Sequence, residues 1–553
     1  MILAFEFSTC ATHGVLENIL SHIVKNAGFA LDLRRNGNIL TLFLNSDEET
    51  LLEFSNTLSN RLPLSIFVQS FNVQVVEEPF GEPVKVELCE LFLPFTPGMV
   101  SAVIDEKSSY FYNPFTPCEI GLDLESNGIL SFTCKDEMLT CKEGDFKTLF
   151  HKAALALCDG ESLHVSSATG SWTLKALKYN PLDTKDAFIM PTDLSVVEKM
   201  VVIKEHEVQA LASLEKPVLR LSLNAVFESK EIIKEKFIHM RMADDLILLL
   251  LMRELFALGV EFVVMKQGDS GSCHLTYEGG TTRELLYVSV LENGKCIPIK
   301  GNMYIPKNMP KILEPFVTPS AKGSVSVLKE NNLLKNRVAC IYLSCEHKDE
   351  LMVYSDINGL VDLMYFDFAN SGKELMDEIC QSSTGKKLVE NFSAKYPEAY
   401  NAFCELDLSL YPKSLYTILG AAGVLFGFGQ SVKEGAQELL DNATLFSGLK
   451  GPRIDFLTIG DTLRAQIDAL RMIRSGMSFC LAGMDPQTLS YGYVDSLGYF
   501  ISDTLDRIQD EFKTTHVAFS GSLCGNRRLA ESLSRHSKVT HIVCFNNECP
   551  IDI

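Results

Sequence analysis

The sequence predicts a multidomain protein with α/β and α+β domains. Its 553 residues are enough for three or four domains, each with its own core. Apolar residues recur with strand and helix periods in alternation along most of the chain, and one proline-rich stretch interrupts this alternation. With 46% hydrophobic and 22% charged residues, the composition is that of an ordinary globular protein.

Residues 1–78 have the pattern βαββαβ. An apolar strand and an amphipathic helix come first, and Asn36-Gly37 then predicts a hairpin between two strands. Ser46 is predicted to cap a second helix, with Glu49 as its capping-box partner, and the last strand is expected at 66–76. This order is typical of a small ferredoxin-like sandwich.

The rest of the chain divides into three further segments. Residues 79–145 contain six prolines between 79 and 117 and lack clear periodicity, so they are predicted to connect domains. Mixed helices and strands return in 146–310 and again in 311–553. The clearest helices are predicted at 150–157, 244–258, 415–426, 432–445, 462–482 and 493–512, and the clearest strands at 218–223, 260–265, 337–343 and 351–354.

The charge and the N-terminus limit the location and the partners. A net charge of −21 argues against a broad surface for nucleic acid or an anionic membrane. The N-terminal residues lack the features of a signal peptide, and the most apolar run, 246–252, is far shorter than the roughly 20 residues of a membrane-spanning helix. The sequence therefore predicts a cytoplasmic protein.

The sixteen cysteines are scattered, and no CxxC pair occurs among them. Scattered cysteines in a cytoplasmic chain are usually buried thiols, so neither disulfides nor a structural metal site is expected.

The most informative string is VAFSGSLCGN at 517–526, in which an apolar strand, a turn of small residues and a helix beginning at Arg527 follow each other. Small residues allow a backbone to approach a phosphate, and a helix N-terminus supplies free N–H donors. The alternative is a tight connection without a ligand, and the string alone favours this alternative.

Several strings together resemble the hydrogenase maturation carbamoyltransferase HypF from end to end. They are YFYNPFTPCEIG at 110–121, VVMKQGDSG at 263–271, IPIKGNMYIP at 297–306, VKEGAQELLDNA at 432–443 and VAFSGSLCGN. A narrower resemblance is to the HypF-like accessory proteins of epsilonproteobacterial hydrogenase operons. The resemblance implies an acylphosphatase-like domain at 1–78, a degenerate zinc-finger connector at 79–145, a YrdC-like domain at 146–310 and an actin-like (ASKHA) carbamoyltransferase-type domain at 311–553.

The residues that carry the chemistry of the family are largely absent. The acylphosphatase arginine has no counterpart in STCATHGV at 8–15, and Cys118 keeps one zinc position whereas Gly121 replaces its partner. No HxxxH motif occurs, and Asp552 lacks the glycines that follow the family's metal-binding aspartate. Neither a metal site nor a catalytic residue is therefore assigned.

Some positions of the family's nucleotide sites remain. No cofactor is expected, although weak ATP binding stays open, and each of these positions has a structural alternative such as a surface lysine or a turn. Ser522 replaces a glycine of the family turn, which favours the structural alternative, and Cys524 is interpreted as a buried thiol rather than a nucleophile. The nucleotide-binding candidates are Lys178, Lys185, Lys266, Glu434, Gly435, Ser520, Gly521 and Asn526.

The resemblance and the missing residues leave three hypotheses on function open, of which the third is a scaffold that serves some other metalloenzyme. The first is a non-catalytic accessory protein for [NiFe]-hydrogenase maturation, which binds the hydrogenase large subunit or other maturation proteins. The second is an ATP-dependent carbamoyl or nucleotidyl transferase with a rearranged active site. Four chemical sites have lost residues while the cores keep their pattern, and this favours the first hypothesis.

Overall fold

The structure is a computed structural model. It describes residues 1–9, 11–87, 91, 93–97, 110–111, 122–123, 130–135, 137–141, 146–177, 186–268, 270–277, 283–460, 463 and 465–552. The chain forms two compact units. The first unit consists of Met1–Cys296 with Lys300–Pro306, and the second of Ile297–Ile299 with Lys307–Ile553. The boundaries of the four predicted domains stay predictions.

The described elements are bounded as follows. The strands are β1 (Ile2–Ser8), β2 (Asp32–Asn36), β3 (Ile39–Asn45), β4 (Ser70–Val76), β5 (Glu82–Pro83), β6 (Tyr110–Phe111), β7 (Leu122–Asp123), β8 (Leu130–Cys134), β9 (Glu137–Thr140), β10 (Leu163–Ser167), β11 (Gly170–Ala176), β12 (Ala187–Pro191), β13 (Leu219–Ser222), β14 (Phe237–Met240), β15 (Phe262–Gln267), β16 (Cys273–Tyr277), β17 (Tyr287–Val290), β18 (Cys296–Lys300), β19 (Val338–Tyr342), β20 (Glu350–Ser355), β21 (Gly359–Tyr365), β22 (Thr458–Ile459), β23 (Gln466–Ile467), β24 (His516–Ser520) and β25 (Ile542–Cys544). The α-helices are α1 (Val15–Asn26), α2 (Glu48–Arg61), α3 (Phe146–Cys158), α4 (Glu205–Ala212), α5 (Ala225–Glu228), α6 (Leu246–Ala257), α7 (Met309–Leu313), α8 (Pro319–Glu330), α9 (Gly372–Cys380), α10 (Ser383–Lys395), α11 (Pro397–Cys404), α12 (Leu415–Leu425), α13 (Val432–Leu445), α14 (Ala469–Leu481), α15 (Pro486–Phe512) and α16 (Arg527–Ser537).

The N-terminal part of the first unit has the order βαββαβ that the pattern predicts. Its antiparallel sheet has the strand order β4-β1-β3-β2-β5, and Gly37 at φ 58° makes the hairpin turn between β2 and β3. The predicted helix cap at Ser46 is wrong. Asp47 caps α2 instead, since its carboxylate accepts the Thr50 N–H at 3.0 Å, and a carboxylate at a helix N-terminus also interacts favourably with the helix dipole.

A second sheet of the first unit has nine strands in the order β13-β14-β12-β15-β11-β10-β16-β8-β9. The helices α3 and α6 bury apolar faces in the core beside it. Cys134 of β8 lies directly opposite Cys273 of β16, and a disulfide joins the two. The expectation of thiols throughout is wrong for this pair, because the two cysteines are 139 residues apart and meet only through the sheet register.

The second unit is built on a seven-stranded sheet with the order β22-β23-β21-β20-β19-β24-β25. The strands β19, β20 and β21 are antiparallel, whereas β24 runs parallel to both β19 and β25. Because β19 and β24 are parallel neighbours, the turns at their carboxyl ends lie at the same edge of the sheet.

Two predicted helices of the second unit begin in the wrong place. The predicted start at residue 493 is too late, because α15 begins at Pro486, after the helix cap Asp485. The predicted start at residue 462 is wrong, because α14 begins at Ala469, after the short strand β23 and the helix cap Asp468. The Asp468 side chain accepts the Arg471 N–H at 3.2 Å, which fixes the start of the helix at this residue.

None of the helices in the described ranges combines the length and the apolar composition that a membrane crossing requires.

Candidate functional site

The VAFSGSLCGN string forms a tight turn between β24 and α16. Gly521 has φ 91°, and a Cβ at this position would lie 2.3 Å from the Leu343 carbonyl oxygen, so no other residue fits. Asn526 caps α16 by accepting the Leu529 N–H at 3.0 Å. Both residues therefore have structural roles that are independent of any ligand.

A second turn, residues 343–347, follows β19 and meets the first turn. The hydroxyl oxygens of Ser344 and Ser522 are 3.2 Å apart, and the Cys345 N–H donates to Ser522 Oγ at 2.9 Å. The backbone N–H groups of Glu346 and His347 donate to Ser344 Oγ at 3.1 and 3.2 Å. The two serine hydroxyls thus accept the N–H groups of Cys345, Glu346 and His347.

Two aspartates complete what we call the carboxylate cluster, which consists of Tyr342, Ser344, Asp349, Ser522 and Asp552. The fully buried Asp349 accepts the N–H groups of Ser344 at 2.8 Å and Leu415 at 2.6 Å. Asp552 accepts the Tyr342 hydroxyl at 2.8 Å, the Ser522 N–H at 3.0 Å and the Ser344 hydroxyl at 3.3 Å.

The electrostatics of this cluster disfavour additional negative charge. Burial raises the pKa of Asp349 well above its usual range, and the charge of Asp552 raises it further. Burial also raises the pKa of the Cys345 thiol to about 12. In the part of the chain that the structure describes, no lysine or arginine side chain bonds to either carboxylate.

The cluster does not fit a nucleotide phosphate. A phosphate site needs free backbone N–H donors or cations. Here every N–H from Ser344 through His347 already has an acceptor within the protein. The N–H of Gly521 donates to the Ile551 carbonyl at 3.0 Å, and that of Ser522 donates to Asp552. The Asp552 carboxylate therefore takes a donor that an anionic ligand would need.

The other candidates of the second unit also have structural roles. Glu434 accepts the Gln430 N–H at 2.9 Å while its own N–H donates to Ser431 Oγ at 3.3 Å, an arrangement that fixes the start of α13. Gly435 allows α12 to pack closely against α13, because a Cβ there would lie 2.3 Å from the Gly420 carbonyl oxygen. No described hydrogen bond joins Glu434 to the carboxylate cluster.

Ser520 and Cys524 are buried below the turn. The Ser520 hydroxyl has no hydrogen-bond partner among the described residues, and it packs 3.3 Å from the position a Cβ of Gly323 in α8 would take. The fully buried Cys524 thiol donates to the Ser520 carbonyl at 3.4 Å, and burial raises its pKa well above the usual range. This thiol is not poised to act as a nucleophile.

The lysine candidates belong to the first unit. Lys266 lies in β15, between Thr173 of β11 and Ala187 of β12 in the sheet register. Lys178 and Lys185 lie outside the described residues, and so do the zinc positions at Cys118 and Gly121. Within the described ranges, no group of three or more His, Cys, Asp or Glu residues could hold a metal ion.

The loop after β1 contains no arginine of its own, but Arg35 of the neighbouring strand β2 reaches it. Arg35 of β2 donates to the Thr9 carbonyl at 3.3 Å and the Ala11 carbonyl at 3.1 Å, and it forms an ion pair with Glu17 at 2.8 Å. The guanidinium therefore stabilises the loop itself and is not free to hold a phosphate.

Tyr342, Ser344 and Asp349 lie beside the turn at 517–526 but are not among the candidates that the sequence predicts. A signal was present, because Ser344 and Ser522 each lie two residues after the end of an apolar strand. The two serines can be brought together only if β19 and β24 are known to be parallel neighbours. The residue pattern of each strand does not reveal this pairing.

The comparisons with known proteins cover the whole chain. No protein-family profile matches it. Protein HydE of Wolinella succinogenes is 28% identical over 580 aligned positions, which cover 100% of both chains. Full-length HypF in its phosphate- and nucleotide-bound form superposes with a TM-score of 0.63 at 13% identity, and HypF of T. kodakarensis with a TM-score of 0.66 at 12% identity. Each superposition covers 100% of this chain and 96% of the other. The chain is therefore a HypF-like protein in fold and a full-length relative of Protein HydE in sequence.

Proposed function

We propose that this protein is an accessory factor for [NiFe]-hydrogenase maturation, which retains the HypF-like scaffold and acts by binding other proteins rather than by catalysis. Its partners in this proposal are the hydrogenase large subunit or other maturation proteins, and its location is the cytoplasm. Support comes from the full-length similarity to Protein HydE and from the HypF fold.

The topology supports the assignment of the domains. Three antiparallel strands followed by two parallel strands, in the order β21-β20-β19-β24-β25, are what an actin-like half-domain requires. The βαββαβ order of the N-terminal part suits an acylphosphatase-like domain. Both assignments belong to the proposal, as does the YrdC-like nature of the part that carries the nine-stranded sheet.

The lack of catalysis is inferred from one observation. Backbone donors at the ends of β19 and β24 are engaged by side chains of the same chain, and one of those acceptors is the Asp552 carboxylate. A nucleotide would have to displace the Asp552 carboxylate and enter beside the buried Asp349, and no lysine or arginine of the described residues bonds to either carboxylate. Transfer chemistry that depends on binding a triphosphate is therefore not expected.

The catalytic part of the proposal is tested with the purified full-length protein, ATP and carbamoyl phosphate. We expect no carbamoyl-dependent formation of AMP above a protein-free background, whereas an active HypF in parallel confirms the assay. Carbamoyl-dependent AMP formation by this protein would support the rearranged-enzyme alternative instead. Titration calorimetry with ATP separates binding from turnover, and we expect no saturable heat.

The partner part is tested by affinity capture on the tagged full-length protein. The purified hydrogenase large subunit and the purified carbamoylation proteins are offered one at a time. We expect at least one of them to be retained at physiological salt, and retention of none would contradict the proposed function.

A further inference from the structure

The strand β4 lies at the edge of the N-terminal sheet, and no strand of the described residues pairs with its outer edge. It pairs with β1 on one side and ends the strand order on the other. Edge strands are normally protected by charges or prolines, because their free N–H and C=O groups can pair with another strand. No charged residue or proline occurs from Ser70 to Val76, and Glu77, Glu78 and Pro79 follow only after the strand ends.

The same strand exposes a row of apolar side chains on one face. Phe71, Val73 and Val75 are 49%, 40% and 62% exposed. They lie opposite Phe7, Phe5 and Leu3 of β1, and the ring centroids of Phe71 and Phe7 are 5.0 Å apart. These side chains therefore extend the apolar core of the domain to the edge of the sheet. A contiguous exposed apolar surface is typical of an interaction site.

We propose that β4 is a homodimer interface, in which it pairs antiparallel with β4 of a second copy about a two-fold axis at Val73. In this register Val73 faces Val73 of the second copy, and Phe71 faces its Val75. On the other face, Asn72 faces Gln74 of the second copy. The amides of Asn72 and Gln74 already donate to Glu6 of their own chain at 3.1 and 2.8 Å, so these side chains are fixed before pairing.

A second copy fits this edge because the strand is self-complementary. The polarity of residues 71–75 is the same in both directions about Val73, so within these five residues every cross-strand pair is apolar with apolar or polar with polar. Each chain carries a net charge of −21, which opposes contact between copies in general, and this repulsion is smallest at an uncharged strand. The proposed register places Glu77 opposite Gln69 and Glu78 opposite Val68, so no like charges face each other.

The expected dimer is weak. Two paired strands of seven residues form an interface at the small end of the range for specific complexes, which corresponds to a dissociation constant on the order of micromolar or higher. The proposal goes beyond the proposed function and rests on β4 alone.

The first test is sedimentation velocity of the purified full-length protein from about 1 to about 100 µM. We expect the wild type to shift from monomer to dimer over this range. Val73→Lys should stay monomeric, since two ammonium groups would face each other at the axis. Leu52→Lys is the matched control, because Leu52 is 64% exposed on α2 of the same domain and lies outside the strand; it should dimerise like the wild type.

The second test checks the register. In Phe71→Lys/Val75→Glu each new lysine faces a glutamate of the second copy, so dimerisation should persist. In Phe71→Lys/Val75→Lys the lysines of the two copies face each other, so dimerisation should be lost. Circular dichroism verifies that both double variants are folded.

A wild type that remains monomeric at the highest concentration would overturn the proposal, as would equal behaviour of the two double variants. A monomeric wild type whose capture of a maturation protein is abolished by Val73→Lys would assign the edge to that protein instead. Because sedimentation uses the protein alone, its outcome is independent of the AMP and capture assays.

Discussion

His13 is a partly buried histidine that the fold holds in its neutral form. Its Nδ1 accepts the Val15 N–H at 3.2 Å, and its ring lies 4.7 Å from the Phe67 ring and 5.2 Å from the Tyr304 ring, centroid to centroid. Burial, followed by the charge of Arg35, lowers the pKa of His13 from 6.5 to about 3. In the unfolded chain this histidine gains a proton below pH 6.5, so protonation favours unfolding as the pH falls from 6.5 towards 3.

We therefore expect the free energy of unfolding to decrease by about 2 kcal/mol through this histidine between pH 7 and pH 5. In His13→Asn, which keeps an acceptor for the Val15 N–H, this part of the pH dependence should vanish even though the variant is less stable at both pH values. Urea unfolding at pH 7 and pH 5 measures the difference. The exposed His206→Asn is the control and should keep the wild-type pH dependence.

Asp244 holds two buried guanidinium groups together. Arg241 and Arg283 both form ion pairs with its carboxylate, and all three side chains are at most 4% exposed. Removing one member of a buried ionic group leaves charge without a partner, so Asp244→Ala should lower the free energy of unfolding by about 3 to 5 kcal/mol. Glu261→Ala removes the partner of Lys199 in an exposed pair and should cost less than about 1 kcal/mol. Equal losses in the two variants, measured by urea unfolding, would contradict this account.

Glu330, at the end of α8, fixes the chain segment that leads to Asp552. Its carboxylate accepts the N–H groups of Asn547 at 2.8 Å, Glu548 at 3.0 Å and Cys549 at 2.6 Å. Three backbone donors on one buried carboxylate stabilise a segment that has no regular secondary structure. The position of Asp552 beside Ser522 therefore depends on a helix of the same unit.

In Glu330→Gln the side chain has only one acceptor oxygen and loses its charge. Since a hydrogen bond to a charged group contributes about 1.5 to 3 kcal/mol, the amides of residues 547–549 should exchange with solvent about 10 to 100 times faster. Hydrogen exchange followed by mass spectrometry measures this change. The exposed Glu378→Gln serves as the control, and unchanged exchange at 547–549 in Glu330→Gln would argue against the role of Glu330.

Elements with strong local signals could be predicted from the sequence, and those set by tertiary contacts could not. The order βαββαβ, the helix start at Arg527 and the helix at 432–445 are observed as predicted. The predicted start of α14 is too early, because Ile467 of β23 fits a helical period equally well and only the pairing of β23 with β21 and β22 excludes a helix there. The cap of α2 lies one residue after the predicted one, because the neighbouring polar residues Ser46 and Asp47 are both suitable helix caps.

At the scale of the whole molecule, the candidate site was predicted in part. The turn at 517–526 carries its own signal in small residues, whereas Ser344, Asp349 and Asp552 join it from segments up to 208 residues apart in sequence. Their meeting depends on the parallel pairing of β19 with β24 and on the path of the C-terminal segment. The disulfide was missed for the same reason, because it joins two strands that only the sheet register brings together.

The Cys134–Cys273 disulfide connects positions 139 residues apart within the first unit. A crosslink across a long segment restricts the unfolded chain, so its reduction should lower the free energy of unfolding by about 2 to 4 kcal/mol. Urea unfolding of the wild type with and without dithiothreitol measures this loss. Cys134→Ser/Cys273→Ser should match the reduced wild type and show no response to the reductant, whereas Cys158→Ser, which changes a cysteine of α3 outside this disulfide, should respond like the wild type. A wild type that is insensitive to reduction would show that the crosslink does not contribute to the stability of this unit.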